Sequence, residues 1–118
     1  MAEEADITAV KDEILREILR VHEESYGAGM NNAQVHVSEE FVLVILDVEL
    51  AISERTLMEA GRGEAVKTMR ESFQGAIAPT FTAIIERATG RRVRNFISAM
   101  SLEPVYSIEL FRLEPRAD

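Results

Sequence analysis

The chain has 118 residues, 47% hydrophobic and 29% charged, with a formal net charge of −8 and no cysteine. That composition suits a single globular domain over residues 1–118 and is too apolar for a disordered chain. Without cysteine there is no disulfide framework, no thiolate metal site and no cysteine nucleophile.

The charge is uneven. Residues 1–50 hold 12 Asp/Glu against 3 Lys/Arg, and residues 51–118 hold 9 against 10. Sequence-independent nucleic-acid binding needs a basic footprint, so nucleic acid is not an expected partner. The start, MAEEADITAV, lacks an apolar signal core. The longest apolar run, FVLVILDVEL, is interrupted by Asp47 and Glu49 and falls far short of the roughly 20 residues of a membrane helix. We expect a soluble, cytoplasmic protein without direct membrane insertion.

Ile7, Val10, Ile14, Ile18 and Val21 recur at helical spacing, with Asp12, Glu13, Arg16, Glu17, Arg20 and Glu24 opposite them. This predicts an amphipathic helix over about residues 5–25. SYGAGMNN supplies the turn that ends it. AQVHV and FVLVILDVEL then predict a hairpin around Ser38–Glu40. The second of these strands is apolar on both faces: Val42, Val44, Leu46, Val48 and Leu50 share one, and Phe41, Leu43 and Ile45 the other. A strand with one solvated face alternates more cleanly, so something should cover the second face.

Ser53 suits a helix N-cap, and Ile52 with Leu57 fits a hydrophobic staple. The apolar stripe changes phase at Gly61-Arg62-Gly63, where two glycines weaken a helix by about 1 kcal/mol each. We therefore expect a short helix over about 54–61 and a long one over about 64–89. Pro79 falls inside the long helix, opposite Gly75, and predicts a kink rather than a break. Gly90 fits the residue just past its end. RVRNFISAM and VYSIELFRL, joined by a turn at SLEPV, predict a second hairpin. In it, Val105, Ser107, Glu109, Phe111 and Leu113 share a face. The order helix, hairpin, helices, hairpin predicts an α+β two-layer sandwich with a four-stranded, mainly antiparallel sheet and helices on one face. The two-sided apolar strand suggests that the other face meets a second subunit, most simply in a homodimer.

Three stretches resemble a known bacterial family: HEESYGAG at His22–Gly29, SERTLMEAGRGEAVKTMRESF at Ser53–Phe73, and ERATGRRVRNFIS with the later FRLEP. Together, over about residues 7–115, they resemble the MpsC-like family, named after the C component of a sodium-translocating membrane-potential-generating system. The resemblance implies an accessory of a membrane cation or bicarbonate transport system, with such a transport protein as partner. It implies no catalytic residue.

The candidate site residues are Gly61, Arg62, Gly63 and Arg70. In an unbroken helix Arg62 would lie in line with Val66, Met69 and Phe73, where it would need a carboxylate such as Asp47 or Glu49. The simpler reading makes it a helix joint; the alternative is an anion or small-molecule sensor helped by the Gly63 amide. Arg70 is expected to face solvent or an interface. His22, Glu23, Tyr26 and His36 have the residue types for a metal but no H-E-x-x-H spacing, so we expect neither metal nor cofactor. Glu39-Glu40 reads as solvated turn charge. Arg87, Arg91, Arg92 and Arg94 read as cations at a helix C-terminus and strand start. Met58, Met69 and Met100 read as core fillers. The sequence as a whole predicts a non-enzymatic interaction or regulatory module.

Overall fold

The structure, a computed structural model, describes residues 2–26 and 30–116. The Gly27–Gly29 part of the expected turn and the side chain of Tyr26 lie outside the described residues. The elements are α1 (Ala2–Tyr26), β1 (Met30–Val37), β2 (Phe41–Val48), α2 (Ile52–Glu59), α3 (Gly63–Thr89), β3 (Val93–Leu102) and β4 (Val105–Leu113). The four strands form one sheet in the order β1-β2-β4-β3, antiparallel at every pairing. The expected α+β sandwich is what forms.

β2 alternates between fully and partly buried positions along its whole length. Val42, Val44, Leu46 and Val48 point under the helices. They meet Ile14 and Ile18 of α1 and Ile77, Phe81, Ile84 and Ile85 of α3 in one core. Phe111 of β4 joins that core, its ring 4.9 Å from that of Phe96 on β3. α1 lies over β1, α3 over β3, and the two helices touch.

The Gly61-Arg62-Gly63 joint is a helix stop. The Gly61 N–H donates to the Met58 carbonyl at 3.1 Å and the Arg62 N–H to the Leu57 carbonyl at 2.7 Å. With Gly61 at φ +77°, this is a Schellman ending that satisfies the last carbonyls of α2. Gly63 then opens α3 in a tight place, because a Cβ there would lie 3.2 Å from Met58 Sδ. Gly90 ends α3 at φ +70°, with its N–H on the Glu86 carbonyl. α3 itself is one helix through Pro79.

Two expectations are corrected here. α2 begins at Ile52 rather than 54, and its N-cap is Ala51, not Ser53. Ser53 is exposed and Ile52 is 75% exposed, so no staple forms. The reason is Glu54, whose Oε1 accepts the Ala51 N–H at 2.8 Å and so supplies the cap from inside the helix. Met69 is no core filler: it is 45% exposed, one position off the buried stripe.

The sheet face away from the helices carries two adjacent apolar rows. One runs Leu43, Leu110, Ile97 across β2, β4 and β3, and the next runs Ile45, Ile108, Ala99. A row with one charge bounds them at each end: Phe41, Arg112 and Asn95 at one, and Asp47, Tyr106 and Ser101 at the other. Gln34 and His36 on β1 bound them on one side.

Gly61→Ala should lower stability by about 1–2 kcal/mol, the cost of a left-handed residue with a Cβ. Gly75→Ala, where an added Cβ meets nothing within 4 Å, should raise stability by about 0.5–1 kcal/mol. Thermal unfolding of the two variants should therefore shift in opposite directions, by about 4 °C per kcal/mol.

Candidate functional site

Counted along α3, Val66, Arg70, Ile77, Phe81 and Ile84 share one buried stripe. Arg70 is only 1% exposed. A guanidinium in that position needs a full set of acceptors. Glu54 of α2 provides them: Arg70 Nε donates to Oε2 at 2.7 Å and Nη2 to Oε1 at 2.6 Å. Nη2 also reaches the Glu49 carbonyl, just past β2, at 3.4 Å. One two-pronged bond thus joins α2, α3 and the end of β2.

His22, near the end of α1, is buried in the same region. Its pKa is pushed below the ordinary 6.5, first by burial and then by the positive charge of Arg70. A shallow hollow of about 260 Å³ opens beside the cluster, lined by Ser25, Ser53, Glu54, Met69 and Phe73. Two of the stretches that carry the family resemblance therefore meet here.

This corrects two expectations. Arg70 does not face solvent, and Arg62 is not in line with the buried stripe. Arg62 is exposed at the N-cap of α3, where its side chain makes no capping bond. The Schellman turn rotates it out, and Arg70, two turns on, takes the buried position foreseen for it. The acceptors are Glu54 and the Glu49 carbonyl, rather than the side chains of Asp47 or Glu49. Gly61, Arg62 and Gly63 thus form a joint at the surface, and Arg70 belongs to a different, interior cluster. Glu54 gives no local signal, being 16 positions from its partner. Arg70 was detectable, since a stripe drawn through residue 70 instead of 69 is the better helical fit.

The other candidates also separate. His22 is buried under the helices, whereas His36 is exposed on the open sheet face and Glu23 on the surface of α1. Among the described residues no three His, Asp or Glu side chains are placed to hold a metal ion. Glu39 sits in the β1–β2 turn, 3.2 Å from Arg116. Arg91 ties that turn to the C-terminal segment by donating to the Glu39 and Glu114 carbonyls at 2.6 and 2.8 Å. Arg87, Arg92 and Arg94 are exposed. A groove of about 480 Å³ runs between this clasp and the start of α1, with Asp6 and Glu39 offsetting Arg91 and Arg116 along it.

Glu109 is the acid on the β4 face that Val105, Ser107, Phe111 and Leu113 share. It points inward from β4 and is fully buried. Its carboxylate oxygens have no hydrogen-bond partner of acceptable geometry among the described residues. Burial pushes its pKa from 4.5 up to about 7, and the nearby hydroxyls of Ser98 and Ser107 only partly oppose that.

Arg70→Ala should leave the buried Glu54 carboxylate without its cation, at a cost of about 3–5 kcal/mol. Arg62→Ala should stay within about 0.5 kcal/mol of wild type, as a surface change does. Urea unfolding of both variants measures the contrast.

Glu109 makes stability depend on pH. Between pH 4.5 and about 7 the folded chain holds a proton that the unfolded chain has lost. Stability is therefore full below pH 4.5 and falls as pH rises through 7, by about 3 kcal/mol in all. His22 works in the opposite sense: its depressed pKa favours the folded state above 6.5, and that contribution is lost as pH falls below it. Glu109→Gln should unfold at a higher temperature than wild type at pH 8, with the gap closing toward pH 5. Thermal melts of both proteins across that range give the result.

No curated protein and no solved structure matches the chain. A family model described as the Na+-translocating membrane potential-generating system (MpsC) matches residues 7–115. That match takes in nearly all of both helical segments, both hairpins and the Arg70 cluster, and the chain belongs to the MpsC family.

Proposed function

We propose that the protein is a homodimeric, non-enzymatic interaction module that serves a Na+-translocating membrane potential-generating system from the cytoplasm. The family supplies the system. Among the described residues no helix is long and apolar enough to cross a membrane, so the described part acts on translocation through a partner rather than by spanning the bilayer. The observation that carries the reading is the open sheet face. Its apolar centre and polar margin are the arrangement of a protein–protein interface, whereas scattered surface apolar residues are not. The helical side adds an acidic outer surface on α1 for a membrane transport protein to meet.

The test uses a cell that carries the transport system. Removing the protein should abolish the Na+-dependent part of the membrane potential, read with a potentiometric dye, and re-expression should restore it. A stoichiometric module restores the signal in proportion to its copy number until the transport protein is saturated. Full restoration at trace expression would mark a catalyst and overturn the non-enzymatic reading. An unchanged potential on removal would overturn the assignment to the system.

A further inference from the structure

The open face has a direction that a homodimer can use. Its two apolar rows lie between two end rows, one carrying the cation Arg112 and the other the anion Asp47. Asp47 stands at one end of the face on β2, and Arg112 at the other end on β4, where it pairs with Phe41. Ile97, in the apolar centre, is 54% exposed.

We infer that two copies pack sheet to sheet through this face, on a two-fold axis that runs across the strands between the two apolar rows. The inference rests on the proposed homodimer and names its surface and orientation. Such an axis lays the Leu43–Leu110–Ile97 row of one copy on the Ile45–Ile108–Ala99 row of the other. It also brings the Asp47 end of each copy over the Arg112 end of its partner, so two opposite-charge pairs form by symmetry. An axis along the strands would instead set Asp47 end against Asp47 end and Arg112 end against Arg112 end. Charge selects the first arrangement.

Size agrees. Four strands about 4.8 Å apart, and the six steps of about 3.3 Å from Phe41 to Asp47, give a footprint of about 500 Å² once side chains at the margin are included. Two such faces together bury about 1,000 Å², the smallest area expected of a specific interface. Facing sheets about 10 Å apart would also leave both helical layers outward and free for the transport partner.

The test is sedimentation equilibrium of the full chain, with thermal melts to confirm folding. Wild type should run at twice its 13.2 kDa chain mass. Ile108→Glu, at the centre of the face and outside the helix-covered core, should be a folded monomer. Asp47→Arg and Arg112→Asp should each weaken the dimer at least tenfold, and the double exchange should restore it.

A second measurement needs no loss of dimer. The chain has no cysteine, so Asp47→Cys and Arg112→Cys chains can be mixed and treated with a bismaleimide spanning about 10 Å. Cross-linking should occur in the mixture and not with Asp47→Cys alone. A monomeric wild type would overturn the homodimer itself. A dimer indifferent to Ile108→Glu would overturn the face while leaving the homodimer standing. Cross-linking of Asp47→Cys alone would overturn the orientation.

Discussion

The bond between Arg70 and Glu54 fixes α2 against α3 and the end of β2. Arg70 projects from α3 into the layer between helices and sheet, and Glu54 reaches it from α2 with both oxygens. The same carboxylate caps its own helix through the Ala51 amide, so α2 begins where the ion pair lets it begin. Nη2 also contacts the carbonyl of Glu49, which ties in the segment leaving β2. A buried pair of this kind contributes little net stability relative to a well-packed apolar pair, but leaving either partner alone is costly. Its effect is on geometry, because a planar guanidinium accepts a carboxylate in few orientations. α2 is only eight residues long, too short to hold its position by helix propensity alone.

From that joint the remaining order follows the sheet. β2 is the central element: every second side chain fills the core under α1 and α3, and the others form the middle of the open face. The apolar content of the chain is thus divided between two surfaces. One is closed within the chain by the helices. The other, bounded by Asp47, Arg112, Gln34 and His36, is left uncovered by the helices.

The interior also holds two titratable groups that work against each other. Glu109 is buried on β4, and burial raises its pKa to about 7 against the opposing hydroxyls of Ser98 and Ser107. His22 is buried near Arg70 and resists taking up a proton. Burial of His22 favours the folded state toward higher pH, and burial of Glu109 favours it toward lower pH. Both groups are buried, so each ties folding to pH in an opposite sense.

Much of the fold was legible in the sequence because it rests on short-range periodicity. The 3.6-residue spacing of Ile14, Ile18 and Val21, the alternation from Val42 to Val48 and the glycines at 61, 63 and 90 each act within a few residues of themselves. They predicted the elements, the antiparallel sheet and the helix stop. The resemblance to the MpsC family was legible in the same stretches. The buried cluster was not: Glu54 and Arg70 meet across 16 positions, and His22 joins them from another helix. A charge's burial depends on what packs above it, and a shift of one residue on α3 exchanged an expected core methionine for an arginine. Local sequence determined which elements form and where they stop. Tertiary packing alone decided which charged side chains were enclosed, because enclosure requires partners that only the folded chain brings within hydrogen-bond distance.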